Sequence, residues 1–190
     1  MVCTTLGGIF MGFGVGLLVM NLKERIGRVP DFPVPGILFY DIATVLADHE
    51  AMAYCLDHLE HVIAEWRPDI VAGIESRGFL FAAPLAQRLG LPMMMIRKQG
   101  KLPGPTLSHT YELEYGTDTV EIQAHAIQPG QRVVILDDLL ATGGTLAAAV
   151  ALCRQAGGEV PGCAVVIDLT FLNGREAVKT PVRSLVEYDA

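Results

Sequence analysis

The chain has 190 residues, 51% of them hydrophobic, a formal net charge of −7 and a pI near 5.1. That length suits one domain with a substantial core, and the acidic balance excludes non-specific nucleic-acid binding, which needs a basic face. The four cysteines (Cys3, Cys55, Cys153 and Cys163) form no CxxC pair and show no metal spacing, which fits reduced thiols in a cytoplasmic protein.

No residue from Met1 to Leu22 is charged, and Gly8, Gly12 and Gly16 sit four apart, as on the packing face of a membrane helix pair. The apolar run Leu6 to Met20 is 15 residues, short of the ~20 that a bilayer requires. A secretory signal would need a basic start and a small-residue cleavage site, and both are missing. Residues 1–19 are therefore expected to be an apolar extension ahead of a start at Met20. Residues 20–190 are expected to form the functional domain, with no membrane partner.

Next comes DFPVPGILFYDI, Asp31 to Ile42, in which Pro33 and Pro35 force an extended arm. Leu56, Leu59, Ile63 and Trp66 recur at helical spacing and predict a helix over Glu50 to Trp66, stopped by Pro68. Ile70 to Ile74 reads as a buried strand, Phe79 to Leu89 as a helix closed by Gly90, and Met93 to Ile96 as a strand. Arg97 to Gly116 is long and polar, with four Gly or Pro residues between Gly100 and Pro105, the composition of a lid. Thr119 to Gln123 alternates and should pair as a hairpin with the residues before Gly116. A strand from Val133 to Leu136, a helix from Leu146 to Ala156 and a strand from Ala164 to Leu169 complete the pattern. Strands alternating with helices predict an α/β fold with a mostly parallel central sheet flanked by helices, and ligands at the carboxyl ends of its strands.

The chemistry concentrates in RVVILDDLLATGGT, Arg132 to Thr145. Main-chain N–H groups of a small-residue loop entering a helix make an anion site, favoured by the helix dipole. Thr142 and Thr145 add hydroxyls, and Gly143 and Gly144 allow close backbone approach. Asp137 and Asp138 repel phosphate but suit the neighbouring hydroxyls of a ribose, or a metal ion. A sugar-binding acidic pair beside a phosphate cradle points to a ribose 5-phosphate site. A nucleotide hydrolase also places two acids after a strand, yet no GxxxxGK[ST] loop occurs in the chain. At the end of another strand, Glu75-Ser76-Arg77-Gly78 opens a helix, and Arg77 offers a guanidinium fork suited to pyrophosphate. Lys98 and Lys101 on the lid could reach a diphosphate. Glu114, between Leu113 and Tyr115, is the lid acid whose flanks would favour burial and acid/base work. His109 and His125 are isolated and do not suggest zinc. Asn173-Gly174-Arg175 reads as a turn.

DDLLATGGT, GIESRGFLF, RKQGKLPGPT with YELEYGTD, and PDFPVPGILF together resemble the type I phosphoribosyltransferase family in its adenine-specific branch. The match runs in family order from Met20 onward. The resemblance implies a small N-terminal hood, a flexible lid hairpin and the reaction of adenine with 5-phosphoribosyl 1-pyrophosphate (PRPP) to give AMP and pyrophosphate. It implies that Glu75, Ser76, Arg77, Lys98, Lys101, Asp137, Asp138 and Ala141, Thr142, Gly143, Gly144 and Thr145 bind PRPP. Leu38, Phe39 and Tyr40 would bind adenine, with Phe39 stacking and nearby main chain reading the base edge; many members carry Arg where Tyr40 stands. Glu114, Asp137, Asp138 and Arg77 would be catalytic, and the Glu75–Ser76 peptide cis. Mg2+ would arrive with PRPP rather than on dedicated protein ligands, and a homodimer is implied. A PRPP-binding regulator and a membrane-tethered scaffold are the alternatives from other classes. Such regulators generally carry a nucleic-acid module, which residues 1–19 cannot form, and the intact lid favours an enzyme.

Overall fold

The run IVAGI, Ile70–Ile74, forms a strand (β3) in which every residue is buried, as expected of the centre of a parallel sheet. The computed structural model describes residues 20–112 and 116–189. The apolar extension 1–19 and the lid acid Glu114 lie outside the described residues.

Ahead of β3, Gly27–Pro30 (β1) and Leu38–Asp41 (β2) pair antiparallel into a small hood; the stretch with Pro33 and Pro35, expected to be extended, instead turns between them. A short helix (α1, Ala43–Leu46) leads to α2, His49–Ala64. The α2 start is set by Asp48, whose carboxylate accepts from the N–H groups of Glu50 (3.0 Å) and Ala51 (3.2 Å). Helix α3, Gly78–Leu89, ends at Gly90 in the left-handed conformation. It is followed by β4 (Met93–Lys98), β5 (Thr106–Glu112), β6 (Thr117–Gln123) and β7 (Val133–Leu140). Then come α4 (Gly144–Gln155), β8 (Cys163–Leu169), α5 (Gly174–Ala177) and β9 (Val182–Tyr188).

The main sheet has the order β5-β6-β4-β3-β7-β8-β9. Its β4-β3-β7-β8-β9 portion is parallel, while β6 runs antiparallel to both β4 and β5. The expected mostly parallel sheet is thus present, and the lid segment returns as an antiparallel hairpin on its edge. Alternation along β7 divides the core. Val134 and Leu136 pack with Phe81 and Leu85 of α3 and Leu59 and Ile63 of α2. Val133 and Ile135 pack with Leu146, Val150 and Leu152 of α4. Each such side chain contributes about 1.5–3 kcal/mol by leaving water. Among the described residues, no helix is long and apolar enough to cross a membrane.

Several elements differ from expectation, among them β4, which runs on to Lys98, α2, which ends at Ala64, and the three that follow. Strand β7 does not stop at Leu136: its ladder with β8 continues through Asp137, opposite Val165, to Leu140, opposite Asp168. A backbone ladder is indifferent to side-chain charge when the acids have somewhere to go. Helix α4 starts at Gly144, two residues early, because Gly143 supplies the turn with φ 84°. Strand β9 is an edge strand whose mixed pattern, VRSLVEY, carries no clear alternation.

Candidate active site

The carboxyl ends of β3, β4 and β7 open onto one cleft of about 360 Å³. Glu75, Ser76, Arg77, Lys98, Asp137, Asp138 and the loop from Ala141 to Thr145 all line it. Residues from three separate stretches of the sequence meet there because parallel strands present their carboxyl ends on the same edge. The Glu75–Ser76 peptide is cis. Gly78 lets α3 begin against β7: a Cβ there would meet the Leu136 carbonyl oxygen at 2.6 Å and the Asp137 Cα at 3.2 Å.

Asp138 is buried and Asp137 partly so. The Asp138 N–H donates to Asp137 Oδ1 at 2.9 Å. Arg77, just before α3, places Nε 2.7 Å from Asp138 Oδ2. Burial raises both carboxyls above their ordinary range, the charge of Asp138 raises Asp137 further, and Arg77 partly offsets the rise at Asp138. Arg77 also lies over the Phe39 ring at 5.8 Å, which ties the hood to the acidic pair.

The loop Ala141 to Thr145 enters the first turn of α4, whose leading N–H groups have no partner within the helix. Gly143 is required by its positive φ, whereas Gly144 is not: a Cβ on Gly144 would make ordinary contacts, 3.6 Å from the Tyr111 ring. The two glycines that read alike in sequence therefore do different work.

On the lid side, Glu75 is a hub. Its carboxylate accepts from Lys101 Nζ (2.9 Å), from Arg97 Nη2 (3.2 Å) and Nε (3.3 Å), and from the Lys98 N–H (3.0 Å). Burial works against its ionisation, but these donors prevail and hold the group down at about 2. Lys101 is thus drawn onto Glu75 and, unlike Lys98, does not line the cleft. Lys98 Nζ pairs with Asp118 on β6 and donates to the Tyr111 hydroxyl at 3.0 Å. Burial pulls the Lys98 ammonium down, but Asp118 and Tyr111 outweigh it and raise it above its usual value. The Tyr111 hydroxyl also lies 3.0 Å from Thr145 Oγ1, joining the lid hairpin to the loop from Ala141 to Thr145. Sequence reasoning missed Tyr111 and Asp118. The only signal was their place in the predicted hairpin, where pairing sets Tyr111 opposite Asp118.

The adenine candidates divide by strand alternation. Phe39 is half-buried beneath Arg77, and Leu38 is exposed. Tyr40 turns the other way into the core and stacks on Tyr188 at 4.0 Å, so its ring is committed to packing.

The phosphoribosyl transferase domain model matches residues 42–186, and the chain belongs to the phosphoribosyltransferase family, with its type I fold. An adenine phosphoribosyltransferase of Rhodospirillum rubrum is 61% identical over 171 residues, covering 90% of this chain and 100% of that one. The crystal structure of adenine phosphoribosyltransferase from Thermoanaerobacter pseudethanolicus matches with a TM-score of 0.85 and 48% identity, over 88% of this chain and 98% of that one. The adenine phosphoribosyltransferase of Saccharomyces cerevisiae, solved with an imino-altritol bisphosphate and adenine, matches at 0.82 with 41% identity, over 87% and 96% of the two chains. Within the family, the chain falls among the adenine phosphoribosyltransferases.

Proposed function

We propose that this chain transfers the 5-phosphoribosyl group of PRPP to adenine, giving AMP and pyrophosphate in purine salvage. The reading is carried by the cleft in which an acidic pair, a guanidinium and a glycine-turned loop at a helix start converge. The close relatives named adenine phosphoribosyltransferase support it.

In this reaction a purine nitrogen bonds to the anomeric carbon as the bond from that carbon to the diphosphate oxygen breaks. The bonding electrons leave with pyrophosphate, and the configuration inverts. The Ala141 to Thr145 loop holds the 5′-phosphate, whose remote binding energy orients the reacting carbon. Asp137 and Asp138 hold the ribose hydroxyls, and their charge favours the positive charge that develops on the ring. Arg77 leaves Asp138 for the diphosphate, and Lys98 supports it from the lid. Phe39 stacks on adenine, main-chain groups from Leu38 to Tyr40 read its edge, and Glu114 takes the proton released by the base.

Among the described residues no three His, Cys, Asp or Glu side chains gather into a metal cage, and Arg77 already occupies one of the paired acids. Mg2+ would come in with PRPP, held mainly by its diphosphate rather than by dedicated protein ligands. The ion's contribution when bound is to neutralise the leaving group. We also place the enzyme in the cytoplasm as a homodimer. Buried thiols at Cys55, Cys153 and Cys163, and exposed apolar side chains on the hood (Val29, Phe32, Val34, Ile37), support that reading.

The deciding assay supplies purified protein with PRPP, Mg2+ and, separately, adenine, hypoxanthine, guanine and xanthine. Conversion of adenine to its nucleotide is expected in strong preference to the others. A folded sample that converts none of them refutes the proposal.

A further inference from the structure

Asn173-Gly174-Arg175 is a plain turn by sequence, yet it is wedged against the phosphate loop. Asn173 adopts φ 54° and ψ 29°, which turns the chain so that α5 starts directly behind Ala141 to Gly143. The approach is reciprocal. A Cβ on Gly143 would overlap the Gly174 carbonyl oxygen and lie 3.1 Å from the Ala177 Cβ. A Cβ on Gly174 would overlap the Ala141 carbonyl oxygen and lie 3.0 Å from its carbon and 3.1 Å from the Gly143 nitrogen. Two main-chain segments distant in sequence are thus in direct contact, with no side chain to cushion either.

The turn is itself anchored. Arg175 Nε donates to Asp168 Oδ2 at 2.5 Å, and its Nη2 donates to Ser184 Oγ (2.8 Å) and Glu187 Oε1 (2.5 Å). Asp168 is fully buried, and its other carboxylate oxygen has no hydrogen-bond partner among the described residues. Arg175 is therefore the cation that compensates a buried charge, an arrangement that holds both partners in place. Asp168 sits on β8 opposite Leu140, the last residue of β7 before the loop. The clamp thus ties the turn to β8, the strand paired with β7, and to β9 beyond it.

We propose that the Gly174–Arg175 turn is the rear wall of the phosphate loop and that Arg175 is a positioning residue for the ribose 5-phosphate, acting through the Ala141–Gly143 main chain. This rests on the reading of that loop as the 5′-phosphate site. The wall sets where the loop N–H groups point, so its loss weakens the sugar-phosphate end of PRPP and spares the diphosphate and adenine ends.

The test compares Gly174→Ala, Arg175→Lys, Arg175→Gln and Gly143→Ala in the full chain. It measures melting temperature, KM for PRPP, KM for adenine, kcat, and binding of ribose 5-phosphate and of pyrophosphate. Gly174→Ala keeps a helical residue in a helix, so the added methyl acts chiefly on the loop. It should raise KM for PRPP and weaken ribose 5-phosphate about tenfold or more, as small misplacements of binding groups do, with pyrophosphate affinity and KM for adenine near wild type. Arg175→Lys keeps a cation beside Asp168 and should show a smaller rise in KM for PRPP than Arg175→Gln. A folded Gly174→Ala protein with wild-type ribose 5-phosphate affinity overturns the proposal, as do Arg175 variants that lose thermal stability while KM for PRPP stays put. If Gly143→Ala also leaves ribose 5-phosphate binding intact, the phosphate-loop reading fails with it. If Gly143→Ala abolishes that binding and Gly174→Ala does not, only the rear wall is lost.

Discussion

The two flanks of the cleft are built differently. The β7–α4 side rests on buried strands and on main-chain segments in direct contact, Gly143 against Gly174, with little room for movement. The lid side rests on polar contacts, most of them partly solvated: Lys101, Arg97 and the Lys98 N–H on Glu75, and Lys98 and Tyr111 on Asp118. Close packing of backbone gives one geometry, and departures from it cost steeply. Partly solvated ion pairs are individually weak and exchange partners readily. The contrast suits a site that must hold a phosphate in a fixed place yet admit and release a diphosphate. Glu75 holds Arg97 and Lys101, and Asp138 holds Arg77.

The largest effect should follow from Asp138→Asn, which removes the charge facing the reacting sugar and unpairs Arg77. A loss of about two to three orders of magnitude in kcat is expected, the size seen when one preorganised electrostatic group is lost, and steady-state kinetics at saturating PRPP will measure it. Next, Gly143→Ala should cost about a hundredfold in kcat/KM for PRPP through displacement of the loop. Gly144→Ala, with space for its methyl, should stay within about twofold, because its new contacts are ordinary van der Waals ones. Equal effects of the two glycine variants would erase the claim that the rigid flank depends on one glycine. On the adjustable flank, Tyr111→Phe removes the hydroxyl shared by Thr145 and Lys98. About fivefold in kcat/KM is expected, one hydrogen bond of roughly 1 kcal/mol. A larger loss would place Tyr111 with the rigid side.

The smallest effect separates the flanks by pH. Burial places the Asp137–Asp138 carboxyls above the ordinary range, so as pH falls this pair takes up a proton first, and kcat/KM should decline there. Glu75, held down at about 2, keeps its charge throughout. Because its folded value is depressed, the stability it contributes is fully present above the ordinary carboxylate value and is lost progressively as pH falls from there through about 2. Glu75→Gln should therefore leave the acid limb of the pH–rate profile in place, whereas Asp137→Asn should shift it. A limb that moves with Glu75→Gln instead would assign the titration to the wrong flank.

Much of the site was legible because its chemistry is contiguous. Asp137, Asp138 and Ala141 to Thr145 lie in one run, and so do Glu75, Ser76 and Arg77, so short motifs grouped residues that line one cleft, with Glu75 and Ser76 assigned through the family resemblance. The expected strand Ile70 to Ile74 matched β3 end to end because a short apolar run bounded by turn signals has few other uses. That Lys101 pairs with Glu75 could not be read from the sequence, because the two lie 26 residues apart and nothing local to Lys101 points to Glu75. Tyr40 follows Phe39 in sequence, yet its ring faces the opposite side of β2, because neighbours on a strand alternate.

From its own order of residues the chain determined the alternation of strands and helices, the acidic pair, the phosphate loop and the family to which they belong, because each of these is written in short-range periodicity or in an unbroken motif. Folding alone decided the rest: that Tyr111 meets Thr145, that Glu75 gathers Arg97 and Lys101, and that Gly174 backs Gly143. Those pairings join residues that lie far apart along the backbone. They arise only when strand register and helix packing bring separate segments to the same edge of the sheet, a result of the whole core and of no single stretch of sequence.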